Sequence, residues 1–295
     1  MSGPGKHGEL RIVGTPIGNL QDLSPRALDA LREADAIFCE DTRVTGKLAS
    51  RFGLTAPRVS CPAPKERARV GQLLRRLAAG QTVALVSDAG MPLLSDPGGE
   101  LVAAAAAAGY PVRVVPGPSA PAAALAVSGL PAVPHLFLGF LPARRGERRR
   151  FLEGIRERAE TLVWFEAPHR LAESLEDAAG ILGPRRCCVA RELTKLHEEA
   201  VRGSLPGVAG ELRARGAGRG ESTVVVEGAR AGPAPPDADS VDRQIAAALA
   251  AGRDKRAVAR ELARATGLPS REIYARAVAL AGRKTGDERR GTKGR

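Results

Sequence analysis

Apolar and polar positions alternate along this chain in short blocks that read as strands and helices in turn. Leu10 to Val13 is a short apolar run and predicts a buried strand. Gly14 breaks it. Thr15-Pro16-Ile17-Gly18-Asn19 then predicts a loop, because glycine and proline permit backbone shapes that other residues resist. Ser24 is placed to cap a helix with Pro25 at its first position, where a missing N–H costs nothing. Leu28, Leu31 and Ala34 follow at helical spacing, and Ala36 to Cys39 predicts the next strand, ending in Glu40-Asp41-Thr42-Arg43. Strand, glycine loop, helix and strand make an α/β unit, which places ligands at the loops beyond its strand ends.

The pattern repeats. Helices are expected over Thr45–Arg51 and Val70–Ala79, with an irregular loop over Val59–Arg69. Gln81–Ser87 and Val112–Val115 read as strands around an alanine-rich helix that starts at Gly98-Gly99 and stops at Gly109. Such βα repeats predict a mainly parallel sheet with helices on both faces. After Pro116-Gly117-Pro118, Ser119 is placed to cap a helix running to about Val127. The second half is richer in strands: His135–Phe140, Thr161–Phe165, Cys187–Arg191 and Ser222–Glu227, with helices over Arg148–Arg158 and Leu171–Ala179. The division expected is a disordered start (1–9), an α/β domain (10–118), a second α/β domain (119–230), a Pro/Ala linker (231–240), a basic helical extension (241–282) and a disordered basic tail (283–295). In the extension Val258, Leu262 and Ala265 form one apolar stripe. Gly267-Leu268-Pro269 breaks it, and Ser270 is placed to cap a second helix with Ile273, Ala277 and Leu280 inward, a helix-turn-helix-like pair.

Charge adds a partner to this picture. The chain carries 45 Lys+Arg against 33 Asp+Glu, a net +12, which favours an anionic partner, nucleic acid above all, over a merely solvated basic surface. Most of the excess lies beyond Val241, and a second cluster is Arg144, Arg145, Arg148, Arg149 and Arg150. Aromatic residues are only 3%, which argues against a stacking platform and for RNA binding through phosphates and shape. No apolar run approaches the roughly 20 residues of a membrane helix, and the start lacks the apolar segment of a secretory signal. A soluble, cytoplasmic protein with no membrane partner is therefore expected. Cys39, Cys187 and Cys188 sit in strand-like runs, Cys61 stands alone, and no CxxC spacing occurs, so buried free thiols and no metal site are expected.

Several motifs sit at the predicted strand ends. Ser87-Asp88-Ala89-Gly90-Met91-Pro92 sets a carboxylate among small residues, which suits a ligand hydroxyl or amine and equally the capping of a turn. It is followed by Ser95-Asp96-Pro97-Gly98, Pro116 to Ala120, Phe137 to Pro142, Glu166 to Arg170, Ala190 to Lys195 and Ser222 to Gly228. Together with the stretch from Gly14 to Arg43, these blocks resemble the small-subunit (16S) ribosomal RNA cytidine 2′-O-methyltransferases of the tetrapyrrole-methylase superfamily, over roughly residues 10 to 282. The resemblance implies two α/β domains with S-adenosylmethionine in the cleft between them, a helical extension, and a homodimer acting on 16S ribosomal RNA, within the small ribosomal subunit. It places Pro16, Asp88, Ala89, Met91, Ser119, Ala120, Glu166 and Leu193 around the cofactor. The GxGxG fingerprint of Rossmann-like methyltransferases is absent. The chain departs from the family pattern at Cys61 to Glu66, where a segment with histidine and asparagine is usual, at Met91, where threonine is usual, and in a shorter segment before Pro116.

A ribose 2′-hydroxyl is a weak nucleophile, so its methylation needs placement and help with proton loss. Asp41, Glu166 and Lys195 are the candidate bases, the lysine only if burial leaves it neutral; His169 is a further candidate. Arg43, Arg144, Arg145, Arg148, Arg149, Lys255 and Arg256 are the candidate RNA contacts, with Arg170 and Arg191 as phosphate clamps or structural partners. Two other readings remain: a methylase of a small tetrapyrrole, which has no use for the basic extension, and a non-enzymatic RNA-binding protein, which has no use for the cofactor loops.

Overall fold

The computed structural model describes residues 8–216, 220–229, 238–266 and 268–288. The chain forms two compact units divided after Ala229.

The larger unit holds two sheets. The first is five-stranded and all parallel, in the order β3-β2-β4-β1-β5, from β1 (Glu9–Val13), β2 (Ala36–Cys39), β3 (Arg58–Ser60), β4 (Thr82–Val86) and β5 (Val112–Val115). Its helices are α1 (Pro25–Arg32), α2 (Thr42–Phe52), α3 (Glu66–Ala78) and α4 (Gly99–Ala107). Side chains alternate between two cores. Ile37, Cys39, Ala84 and Val86 join α1 and α2, while Ala36, Phe38, Val83 and Leu85 join α3 and α4. Burial on both faces is why these strands read as unbroken apolar runs. Ser24 Oγ accepts the Ala27 N–H at 3.1 Å, and Gly53 closes α2 in the left-handed region.

The second sheet is mixed, in the order β6-β7-β10-β8-β9, from β6 (His135–Phe140), β7 (Thr161–Glu166), β8 (Arg186–Arg191), β9 (Glu199–Ser204) and β10 (Ser222–Val226). Only β6 and β7 run parallel. α6 (Arg145–Gly154), α7 (Leu171–Leu182) and α8 (Leu205–Arg215) cover one face, around buried Trp164. α5 (Ala120–Ser128) covers the other, where Val163, Cys188, Ala190 and Val225 meet Ala124, Leu125 and Ile17 of the first loop.

The smaller unit contains α9 (Ala238–Ala250), α10 (Lys255–Thr266) and α11 (Ser270–Glu288), packed on Val241, Ile245, Ala259, Ile273 and Ala277. The expected pair is α10 and α11, and α9 precedes it, so the described residues of this unit hold three helices. Ala265 is exposed, and Ala259 and Ala263 take its place in the stripe. Ser270 is helical itself, and α11 runs past the expected end at 282 to Glu288. The expectations for 1–7, for the linker over 231–237 and for the tail over 289–295 lie outside the described residues.

Three other expectations change. Arg58–Ser60 is a strand and α3 already starts at Glu66, where only an irregular loop was expected, because pairing with β2 outweighs weak local propensity. β9 and α8 escape the apolar pattern: β9 is an edge strand, mostly half-exposed or exposed, and α8 contains Pro206, Gly207 and Gly210. Ser119 stands at the start of α5 but makes no capping hydrogen bond. All four cysteines are buried free thiols. Among the described residues no helix is long and apolar enough to cross a membrane.

Candidate active site

Three glycine-containing loops come together where the two sheets meet. The loop after β1 bridges to the loop after β4: Thr15 N–H donates to Gly90 O at 2.9 Å, and Gly90 N–H to Thr15 O at 3.1 Å. Gly14 lies against Gly117 of the third loop so closely that a Cβ on Gly117 would meet Gly14 Cα at 2.8 Å. Only glycine allows this backbone contact. From the other sheet, Thr194 Oγ1 accepts the Asn19 N–H at 3.1 Å. These contacts frame a cavity of about 340 Å³.

Its walls mix apolar and acidic groups. Asp88, Ala89, Met91, Ser119, Ala120, Glu166 and Leu193, all expected around a cofactor, line it. Pro16 does not; its neighbour Ile17 takes that position. Ser119, having no cap to make, leaves its hydroxyl for a ligand at the start of α5. Gly117 N–H points at Met91 Sδ, 3.3 Å away. Glu166, at the end of β7, is buried; its Oε1 accepts the Ala167 N–H at 3.1 Å and lies 3.2 Å from Arg170. Its Oε2 is buried with no partner. An unsatisfied buried carboxylate oxygen at a cavity wall is suited to a ligand donor.

The other acids differ in electrostatics. Asp88 accepts the Asp41 N–H at 3.1 Å, and burial nevertheless pushes its carboxyl up. Asp96 is pushed up to about 6, first by burial and then by the nearby Glu40, while a hydrogen bond from Ser87 opposes the shift. Glu221 also lines the cavity and pairs with Lys195 at 3.1 Å.

Several expected roles are corrected by geometry. Asp41 lies outside the cavity lining; it caps α2, and Arg43 holds it at about 2, which makes it a weak proton acceptor. Lys195 also lies outside the lining. Burial would lower its pKa, but hydrogen bonds to Glu192 and Glu221 raise it, so it is charged, not neutral. His169 is exposed and not part of the wall. Arg148 cannot meet RNA: it is fully buried and bonds Asp177 at 2.7 and 2.9 Å. Arg145 and Arg149 reach the same carboxylate at 3.1 and 3.2 Å while remaining partly exposed. Arg144 is exposed beside Glu147, and Arg43 is 89% exposed. Arg170 donates to the carbonyls of Leu141 and Pro142, and Arg191 pairs with Glu199 at 3.4 Å. In the smaller unit Lys255 is half-buried and Arg256 exposed.

The residues that sequence reasoning missed share one signal. Asp96, Phe140, Phe165 and Thr223 all line the cavity and all sit inside or beside the quoted motifs. The low aromatic content hid their concentration. Phe137 and Phe165 meet edge to face at 5.0 Å, Phe140 and Phe165 are 5.4 Å apart, and Phe140 is 55% exposed at the mouth.

The model of the tetrapyrrole (corrin/porphyrin) methylases matches residues 9–209. The chain is 40% identical over 269 residues to a Synechocystis protein named ribosomal RNA small subunit methyltransferase I, covering 90% of this chain and 96% of that one. It is 44% identical over 274 residues to the protein of the same name from Xylella fastidiosa (90% and 98% covered), and 44% identical over 221 residues to that from Thermotoga maritima (75% and 99%). Among solved structures, the methyltransferase CobJ shares the fold with a TM-score of 0.58 at 23% identity, over 77% of this chain and 98% of that one. Diphthine synthase does so with a TM-score of 0.56 at 17% identity, over 75% and 90%.

Proposed function

The chain belongs to the tetrapyrrole methylase family, and on that footing we propose that it transfers a methyl group from S-adenosylmethionine to the ribose 2′-hydroxyl of a cytidine in the decoding region of 16S ribosomal RNA. The relatives named as small-subunit RNA methyltransferases, matched over nine-tenths of the chain, support the substrate class.

The observation that carries the reading is the buried, partnerless Oε2 of Glu166 in a cavity that also holds Asp88, Met91, Ser119 and Leu193. S-adenosylmethionine supplies a methyl group on a positively charged sulfonium. Glu166 would accept from one of its hydroxyl or amino groups, and Ser119 Oγ would bond another polar edge. The acidic wall favours its positive charge over the neutral product. Met91, Leu193 and Ala120 shape the apolar part of the pocket. The exposed rim of Leu94 and Phe140 offers a face on which a base can lie while its ribose reaches inward.

Exposed Arg43, Arg144 and Arg256, with the partly exposed Arg145 and Arg149 and half-buried Lys255, supply cations for phosphates. We place the reaction on the assembled small subunit, in the cytoplasm, by a homodimer, with the domain division after residue 118. The family resemblance supports the dimer and the ribosomal RNA substrate, and the break at Pro116-Gly117-Pro118 supports the domain division. The test is direct. Purified protein is incubated with S-adenosylmethionine and small ribosomal subunits lacking the modification, and the RNA is digested to nucleosides for mass analysis. 2′-O-methylcytidine is the expected product. Its absence on subunits and on naked RNA, with cofactor binding intact, would overturn the proposal.

A further inference from the structure

The middle of the first sheet's chain has almost no negative charge of its own. Between residues 42 and 87 the only acidic side chain is Glu66. It is committed elsewhere: its Oε1 accepts the Glu100 N–H at 2.6 Å and the Leu101 N–H at 3.4 Å, in the first turn of α4. Resting on the function proposed above, we propose that the basic face left by this imbalance, built on α2, β3 and α3, holds backbone phosphates of the ribosomal RNA substrate.

The cations of this face are unengaged. Lys47, Arg51, Arg58, Lys65, Arg67 and Arg75 are all exposed, and among the described residues none of these side chains is hydrogen-bonded or ion-paired. The other described lysines and arginines of the larger unit have partners, Arg150 excepted. Arg32 holds Asp29, Arg186 holds Glu227, and Arg202 donates to the Val127 carbonyl. The α6 cluster differs in the same way, because Arg145, Arg148 and Arg149 share the Asp177 carboxylate.

Secondary structure gathers them. Lys47 and Arg51 stand four residues apart on α2, in line with exposed Arg43 near its start, so the stripe runs about 12 Å along the helix. Arg67 and Arg75 stand on α3 with Gly71 midway, and Arg75 folds back until its Nη1 is 3.6 Å from where a Cβ on Gly71 would be. α2 packs on one face of the sheet and α3 on the other, with the edge strand β3 between them. Arg58 opens that strand, its Nε 4.0 Å from where a Cβ on Gly46 of α2 would stand. The face begins beside the cavity. Asp41, which caps α2, donates its N–H to Asp88 of the cavity wall at 3.1 Å. Because the sheet is parallel, the loops after β2 and β3 lie on the same edge as the cavity loops after β1, β4 and β5. An RNA strand with one nucleotide in the cavity would pass Arg43 first and this face beyond it.

The energetics say what such a face is for. Unpaired like charges repel one another and work against the compact state. One cation would serve to guard the β3 edge against pairing with another sheet. A whole face of cations without a carboxylate fits a polyanion, whose binding neutralises them and releases its condensed counterions. Phosphates are the ligand here, not bases. The only aromatic side chain between residues 42 and 87, Phe52, packs against the core of the first sheet, so the face has nothing for bases to stack on.

The test compares the full-length wild type with Lys47→Gln/Arg51→Gln/Lys65→Gln/Arg67→Gln. A control of equal charge change is Arg32→Gln/Arg113→Gln/Arg186→Gln/Arg213→Gln, whose arginines all hold carboxylates. Binding to unmodified small subunits and to their naked 16S ribosomal RNA is measured over a range of salt. For the first variant the slope of log K against log salt should become shallower by about 3, and affinity at about 0.15 M salt should fall about 10²-fold on both ligands. KM for subunits should rise in step, while kcat at saturation and cofactor Kd hold and Tm does not fall. The control should keep the wild-type slope to within about 1. The proposal is overturned if the first variant moves the slope by less than about 1, or if the control loses as much. A loss on whole subunits but not on naked RNA also overturns it, and assigns the face to an acidic ribosomal protein. A wild type that makes no 2′-O-methylcytidine overturns the proposed function, and the binding comparison still decides the face.

Discussion

Replacing Asp177 with alanine tests whether the arginine cluster of α6 is a structural clamp or an RNA surface. Asp177 sits in the middle of α7 with its side chain 1% exposed, and it receives three guanidinium groups. The deepest is Arg148, whose side chain is also 1% exposed. Burial alone would raise the Asp177 carboxyl, but hydrogen bonds from Arg148, Arg145 and Arg149 outweigh it and hold it below the ordinary carboxylate range. Asp177→Ala leaves the Arg148 charge buried. Removing one partner of a buried pair costs about 3–5 kcal/mol. Arg148 keeps Glu173 at 2.8 Å, a half-exposed partner, so the lower end, about 3 kcal/mol, is expected. For a unit of this size that corresponds to a fall in Tm of about 6–12 °C. The assay is urea unfolding followed by Trp164 fluorescence, with Arg148→Met/Asp177→Leu as the control expected to recover most of the loss. The pH dependence has a definite sign. A carboxyl with a lowered folded pKa contributes stability above its unfolded value, about 3.9. That stability is lost as pH falls through the folded pKa, so the gap between wild type and Asp177→Ala should close in acid. A loss under about 1 kcal/mol would refute the reasoning, as would an Arg148→Ala protein of normal stability that binds RNA poorly.

Three other outcomes are expected. Gly117→Ala would drive a Cβ to within 2.8–3.0 Å of the Gly14 backbone, which cannot retreat; cofactor affinity measured by calorimetry should fall about tenfold or more. Arg43→Ala removes an exposed cation outside the cavity lining. It should lower the slope of log K for RNA against log salt by about 1 while leaving cofactor affinity unchanged. The thiols should react slowly with a disulfide reagent in the folded protein and all four should react in denaturant, because every cysteine is buried and burial pushes Cys61 up to about 11.

What the sequence determined by itself is what short-range chemistry controls. Ser24 and Pro25 start α1, and the apolar runs of β1, β2, β4, β7, β8 and β10 stand where their patterns put them. Asp88, Ala89, Met91, Ser119, Ala120, Glu166 and Leu193 line the cavity as expected because the motifs carry them within a few positions of each strand end, whereas Asp96, Phe140, Phe165 and Thr223 were not expected there and Pro16 does not line it. Tertiary structure decided everything that depends on a partner far along the chain. Arg148 reads as a surface cation until Asp177, 29 residues away, is found beside it in the core. Lys195 reads as a possible base until Glu221, 26 residues away, holds it charged. Asp96 reads as part of a turn until burial and the approach of Glu40 from β2 raise its pKa. Three of the six phenylalanines form one cluster only because β6 and β7 are neighbours. Local patterns set where elements begin and end, but a side chain's charge and exposure depend on its spatial neighbours, and those are chosen by packing of the whole chain.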